Sequence, residues 1–402
     1  MSSRSVVIVG GARTAIGRYG GTLRSTHPAE LGARAVKAAL ARAGVTPGDV
    51  DEVIIGHGRQ AGSGPNPGRQ VGRRAGLPDT VPAQTINQAC ASGLQAVALG
   101  AQAILLGQST TVIAGGIESM SRMPYFLDSD DARWGHKMGN FAMVDAMYRD
   151  GFFDPLSQLI MGQTAEVLAR QYQITRDESD AFALESQLRA QRAIADGIFA
   201  DEITPAPGTD AKGKPVDLEV DEHPRAGATI EGLRKLPLVF EAVDGQSGII
   251  TAGSSSGITD GGAAVVLMAE EEASRRGLTP MARITGWATA GVDPRIMGIG
   301  PVPAIRKLLA KTGLAMTDFD LVELNEAFAP QVLACLKDIP IDRDRLNVNG
   351  GAIALGHPIG ATGTRILVTL LYAMARRRVR RGLATLCVSG GLGMALAVER
   401  VE

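Results

Sequence analysis

Short apolar runs alternate with amphipathic stretches at both ends of the chain. Val6 to Val9, Glu52 to Gly56, Thr85 to Asn87 and Thr110 to Ala114 are β-branched or apolar and predict strands; Glu30 to Ala43 and Ser92 to Leu106 carry helical spacing. In the second helix Leu94, Val97, Ala98, Ala101, Ile104 and Leu105 recur at three- and four-residue intervals before Gly107, so its apolar stripe is broad and the helix is expected to be buried. This is the order of βαβ units. Ala384 to Val398 is the longest mostly apolar stretch. Ser389, Gly390, Gly391 and Gly393 interrupt it and it falls short of the ~20 residues of a membrane span, so it predicts a buried strand pair.

The plan of the first hundred residues returns near the end. Asp51-Glu52-Val53-Ile54-Ile55 resembles Asp320-Leu321-Val322-Glu323-Leu324, each after a helix. Ile86-Asn87 before a loop ending Ser92-Gly93 parallels Val348-Asn349 before one ending Thr362-Gly363, and Val112-Ile113-Ala114-Gly115-Gly116 parallels Cys387-Val388-Ser389-Gly390-Gly391. Order and spacing both survive, which predicts two similar halves and sets Cys387 opposite Val112. Between them, Ser121 to Gly248 changes character: aromatics and methionines (Tyr125, Phe126, Trp134, Met138, Phe141, Met143), a long helix over Gly162 to Asp196, then a polar Pro/Gly-rich segment from Thr204 to Gly227. The expected division is 1–120 with 251–275 as one half, 121–250 as an inserted loop domain, and 276–402 as the other half. Inserted segments carry specificity more often than scaffold.

At 402 residues the chain can bury a large core, and 50 glycines with only 4% aromatics fit a Gly-rich α/β protein with many tight turns. The net charge of −1 gives no field to draw it onto nucleic acid or an acidic membrane face, and the apolar run before Gly10 and Gly11 is too short for a secretory core. Three cysteines form neither a disulfide framework nor a metal cluster, which points to a reducing, cytoplasmic setting with no metal. G-x-G-x-x-G, G-x-x-x-x-G-K-[ST] and H-E-x-x-H are all absent, so dinucleotide, P-loop and metal-hydrolase readings gain no support.

Cys90, in Asn-Gln-Ala-Cys-Ala-Ser-Gly, sits between a strand and a helix start, where the helix dipole is expected to lower its pKa and prepare a thiolate nucleophile. The bland alternative is a small buried apolar residue. His357, one of five histidines, lies in a stretch from Gly350 to Gly363 with five glycines in fourteen residues, at the place in the second half that Cys90 holds in the first. A thiol and an imidazole placed in this way suit an activated nucleophile. Cys387 opens the turn Ser389-Gly390-Gly391, whose N–H groups could hold a developing oxyanion, whereas Cys335 lies on an apolar helical stripe and is expected in the core.

Asn87-Gln88-Ala89-Cys90-Ala91-Ser92-Gly93, Gly115-Gly116-Ile117-Glu118-Ser119-Met120-Ser121, Asn325-Glu326-Ala327-Phe328, Gly356-His357-Pro358 and Cys387 with its glycines resemble the thiolase family over nearly the whole chain, Val6 to Val398. The resemblance implies duplicated βαβαβαββ halves in a five-layered αβαβα core with an inserted loop domain. It implies ping-pong Claisen chemistry: two acetyl-CoA condense to acetoacetyl-CoA plus CoA, or a 3-ketoacyl-CoA is cleaved by CoA. Cys90 would carry the acyl group, His357 would take its proton, and Cys387 would act as acid and base at the α-carbon. One oxyanion hole would use His357 and a water held by Asn325, the other the N–H groups of Cys90 and Ser389. Coenzyme A would meet Arg225 at its phosphates, Phe240 at its adenine end, and Ser256, Met161, Met297 and Phe328 along the pantetheine. CoA and acyl-CoA are then substrates, with no permanently bound cofactor, and a homotetramer built as a dimer of dimers is expected. Ser389 and Ile160 depart from the family pattern: many relatives have glycine at the first, and some put a polar pantetheine contact at the second. A decarboxylating ketoacyl synthase would want a second catalytic histidine in place of Cys387 and would not need Asn325-Glu326-Ala327-Phe328. A silent CoA-binding scaffold would need neither Cys90 nor Cys387.

Overall fold

The computed structural model describes residues 4–401. Its core strands are β1 (Val6–Thr14), β2 (Glu52–His57), β3 (Ala83–Ile86), β4 (Thr111–Ser119), β5 (Thr259–Ala269), β6 (Ala282–Gly291), β7 (Leu321–Leu324), β8 (Arg381–Val388) and β9 (Leu392–Glu399). The main helices are α1 (Pro28–Ala43), α2 (Pro67–Ala75), α3 (Ser92–Leu105), α4 (Met161–Gln171), α5 (Arg176–Ala195), α6 (Pro301–Thr312), α7 (Ala329–Asp338) and α8 (Ile359–Arg377).

The strands run β3-β2-β4-β5-β1 in the first half and β7-β8-β9-β6 in the second, joined edge to edge where Val7 and Ile8 pair with Arg283 and Ala282. Both halves use the same pairing directions. β2 and β4 are parallel, as are β7 and β8; β4–β5 and β5–β1 are antiparallel, as are β8–β9 and β9–β6. A parallel bridge from Val322 to Leu346 stands where β3 lies in the first half. The repeat extends to side chains. Asp51 Oδ2 accepts from the amides of Thr110 and Thr111, and Asp320 Oδ2 accepts from those of Arg380 and Arg381.

The pairing corrects one expected match. Glu52 faces Val112 and Leu321 faces Gly382, so the halves superpose at an offset near 270, which sets Cys387 opposite Ile117 and not Val112. The glycines that suggested the other register differ in kind. Gly115 and Gly116 lie inside β4, whereas Gly390 and Gly391 form the turn after β8 with φ of +84° and +81°, a region that favours glycine.

Both faces of each sheet are covered, which explains the near-continuous apolar runs. On β5, Val265 and Leu267 pack with α3 and α8, while Val266 and Met268 alternate to the face covered by α1 and α2. On the other half, Leu386 and Leu396 face α8 and α3, and Leu383, Ala395 and Ala397 face α6 and α7. The layers are therefore α1/α2, sheet, α3/α8, sheet, α6/α7. Ala384 to Val398 is a buried strand pair, and Cys335 is a core residue of α7 at 2% exposure.

The expected single helix over Gly162 to Asp196 is two. The chain breaks at Tyr172 to Thr175, and Thr175 starts α5 with a capping box, its Oγ1 accepting from the amide of Glu178 while Glu178 Oε2 accepts from the amide of Thr175. Among the described residues no helix is long and apolar enough to cross a membrane.

Glycine decides where the middle layer is tightest. A Cβ on Gly93 would lie 2.7 Å from Thr364 Oγ1 and 2.9 Å from Gly360 O, and one on Gly363 would strike the backbone nitrogen of Leu94. The first turns of α3 and α8 therefore touch backbone to backbone. A reactive residue stands two positions before the start of each: Cys90 before α3 and His357 before α8.

Candidate active site

Cys90 sits in a single 3₁₀ turn, Ala89–Ala91, between β3 and α3. Ala89 has φ of +45°, an unfavourable value for a residue with a Cβ, and its neighbours hold it there. Asn87 Oδ1 accepts from the amide of Ala89 at 2.8 Å and Ser92 Oγ donates to its carbonyl at 2.7 Å; Asn87 Nδ2 fixes the turn to Gly58 O at 3.0 Å. Cys90 as a whole residue is half-buried.

The expectation of a lowered thiol pKa is not met. Burial pushes Cys90 up, and this outweighs the pull of Arg59 and of the amides of Ser389 and Cys90 itself, both directed at the sulfur; Glu118 adds to the rise. The resting group is a thiol, so attack needs a base.

His357 is held from both sides. Its amide donates to Gly257 O at 3.0 Å, and its Nδ1 lies 2.7 Å from Thr362 Oγ1. Thr362 commits its only hydroxyl proton to Pro358 O at 2.9 Å, so Oγ1 accepts and Nδ1 carries the ring proton. Nε2 is left with its lone pair. Burial, with Arg365 and Arg59 nearby, holds the imidazolium pKa down to about 3, and the ring is a neutral base at ordinary pH.

Cys387 is the penultimate residue of β8, 1% exposed, packed in an apolar cluster with Met297, Ala327, Phe328, Met161 and Phe240. Burial first, then the neighbouring Cys90 and Cys335, pushes its thiol well above the usual range.

Cys90, His357, Cys387 and Ser389 line one cavity of about 480 Å³. Arg225, Phe240, Ser256, Met161, Met297 and Phe328 line it too, so ten of the eleven site residues expected from sequence converge. Asn325 does not reach the wall. It is 1% exposed, its backbone amide donates to Thr385 O, and its side-chain Nδ2 and Oδ1 have no partner among the described residues. Phe240 and Phe328 meet edge to face at 6.1 Å, and Gly162 at the start of α4 leaves the room that the Phe240 ring fills. Ile160 is part of the lining, and its apolar side chain offers no hydrogen bond there.

Several lining residues were not singled out in the sequence. Arg59 is buried, donating from Nη2 to Gly151 O at 2.6 Å. Arg18 stands exposed with Arg225 at the cavity's edge, the two forming a cationic rim. His223 has Nδ1 at 2.8 Å from Ala354 O, a pure acceptor, so Nδ1 donates and Nε2 is free to accept. Isolated arginines and a lone histidine have no motif around them; only the fold assembles them. Among the described residues no group of three His, Cys, Asp or Glu side chains could hold a metal ion.

A neutral imidazole, two protonated thiols and converging amides, walled by apolar side chains, suit transfer of an acyl group through a thioester. Fold and site together define an acyltransferase. The chain belongs to the thiolase family: residues 6–271 match the thiolase N-terminal domain and residues 278–400 the thiolase C-terminal domain. It is 52% identical over 401 residues to an acetyl-CoA acetyltransferase of Rhizobium meliloti (strain 1021), covering 100% of both chains. The acetyl-CoA acetyltransferase of Bacillus anthracis superposes with a TM-score of 0.95 at 46% identity, covering 99% of each chain. A human mitochondrial 3-ketoacyl-CoA thiolase in complex with CoA gives 0.93 at 42% identity, covering 99% of this chain and 98% of that one.

Proposed function

We propose that the protein is an acetyl-CoA acetyltransferase that interconverts two acetyl-CoA with acetoacetyl-CoA plus CoA by a ping-pong route through acyl-Cys90. The observation that carries this reading is the convergence of Cys90, His357 and Cys387 on one cavity, with the Ser389 amide directed at the Cys90 sulfur.

In the first half-reaction Cys90 Sγ attacks the thioester carbon while His357 Nε2 takes the thiol proton. The C–S bond to CoA breaks, and Cys387 gives its proton to the departing CoA thiolate. In the second half-reaction the Cys387 thiolate removes an α-proton from another acetyl-CoA, and the resulting carbanion attacks acyl-Cys90. The Cys90 sulfur leaves and recovers its proton from the His357 imidazolium, which returns every group to its starting state. Burial that keeps Cys387 protonated at rest suits its first duty as an acid.

Each tetrahedral oxyanion needs donors in a dry pocket. The amides of Cys90 and Ser389 serve acyl-Cys90; Ser389 has the same N–H that glycine would supply. His357 and a water on Asn325 serve the acetyl-CoA enolate, and the unpartnered side-chain amide of Asn325 suits that duty. Arg225 and Arg18 offer charge to the CoA phosphates, Ser256 a hydroxyl, and Met161, Met297, Phe328 and Phe240 an apolar channel. Two thiols that must stay reduced suit the cytoplasm.

On this reading 1–120 with 251–275 supplies the nucleophile, 121–250 the CoA grip and the contacts between subunits, and 276–402 His357 and Cys387. Trp134, Met138, Phe141 and Met143 are 54% to 91% exposed, an apolar arm suited to contact with a second copy, and the assembly expected on this reading is a homotetramer built as a dimer of dimers. Light scattering of active enzyme is expected to give four chains; a monomeric mass would refute the assembly. For the activity, acetoacetyl-CoA with free CoA is expected to yield two acetyl-CoA, and kcat/KM over a series of 3-ketoacyl chain lengths ranks the substrates. No turnover of any member of that series would overturn the assignment.

A further inference from the structure

Helix α8, whose first turn follows His357, has no cap of its own: Pro358 stands at the N-cap with no side-chain acceptor. The acceptor comes from the other half of the chain. Glu118, at the end of β4 and fully buried, places Oε2 at 2.9 Å from the amide of Gly360, one of the first-turn N–H groups of α8. Its other oxygen, Oε1, accepts from the amide of Arg59 at 3.2 Å and lies 3.1 Å from His57 Nε2. A Cβ on Gly58 would come within 2.9 Å of Oε2, so the 57–59 loop closes around the carboxylate. A single carboxylate thus ties the helix that follows His357 to the loop that bears Arg59, and the same loop is fixed to the Cys90 turn through Gly58 O and Asn87.

We propose that Glu118 is a positioning residue for His357: it caps α8 across the junction of the two halves and so holds the imidazole in register with Cys90. It has no place on the cavity wall and takes no proton from substrate. Glutamine in its place keeps the size but offers one acceptor and one NH₂ group to two backbone donors, so one of the two amides is left facing a donor. A shift of ~1 Å in a catalytic group costs about 10²-fold in rate.

The inference rests on the proposed role of His357 as base, and the test separates the two. Acylation of Cys90 by acetyl-CoA is timed in wild type, Glu118→Gln, His357→Ala and the double variant, alongside alkylation by iodoacetamide at a pH where the thiol is ionised. Glu118→Gln is expected to slow acylation ~10 to 10²-fold, to leave KM and high-pH alkylation near wild type, and to add little on top of His357→Ala. Glu118→Asp, which keeps the charge but draws it back by one methylene, is expected to fall between and serves in the same cycle if the glutamine variant does not fold. Wild-type acylation per folded molecule in Glu118→Gln, or effects that multiply fully in the double variant, would overturn the positioning role. Wild-type acylation in His357→Ala alone would instead overturn the assignment of the base, and the inference with it.

Discussion

Cys387→Ala is expected to divide the reaction. Labelling of Cys90 from acetyl-CoA needs the Cys90–His357 pair, and a departing CoA thiolate can take its proton from water, so labelling should proceed largely intact. Forming or breaking the C–C bond needs a proton moved at the α-carbon, and Cys387 is the only cysteine besides Cys90 on the cavity wall. Condensation, thiolysis and loss of α-deuterium from labelled acetyl-CoA should each fall by ~10² to 10⁴, the usual share of one general acid/base. The substitution removes only a sulfur from a site packed by Met297, Ala327 and Phe328, so the fold is retained. Labelling abolished while α-proton exchange ran at the wild-type rate would reverse the roles of the two cysteines.

His357→Ala should act on the step that Cys387→Ala spares. Burial keeps the Cys90 thiol protonated at neutral pH, so loss of the base leaves only the small thiolate fraction to react. Acylation at neutral pH should fall by ~10² to 10⁴, and the pH dependence should change shape. In wild type the imidazole, with its pKa near 3, stays an unprotonated base through the mildly acid range and gives the thiol no titration of its own to follow. In the variant the rate should climb about tenfold per pH unit as the thiolate fraction grows, until the raised Cys90 pKa is passed. A variant whose acylation is as independent of pH as wild type would remove His357 from the proton transfer.

How far the chain could be read ahead of its structure depends on the range of the interaction. Strands in both halves, the buried stripe of α3 and the core place of Cys335 rest on local periodicity, and all appear where expected, although β1 and β4 each run five residues further than the apolar run that marks them. The symmetric placing of Cys90 and His357, each two residues before a central helix, was legible because duplication writes it twice. The register of Cys387 was not, since a Gly-Gly pair inside β4 and one in the turn after β8 look alike in one dimension. The break before α5 has a local signal in the capping pattern Thr175-x-x-Glu178. The Cys90 pKa is not legible in the sequence, because a helix end is visible there whereas the burial that opposes it is tertiary. Arg59, Glu118 and His223 act across 92 to 242 residues of chain, through contacts with Gly151, Gly360 and Ala354, and only folding supplies those.

The central claim is that Cys90 itself carries the acyl group between the two half-reactions. Wild-type enzyme incubated with acetyl-CoA, quenched in acid, digested and examined by peptide mass spectrometry should gain one acetyl group on the peptide that contains Cys90. The label should disappear in Cys90→Ala and be discharged as acetyl-CoA when free CoA is added before the quench. Acetylation that persisted unchanged in Cys90→Ala, or that mapped to Cys387 in the wild type, would contradict the account.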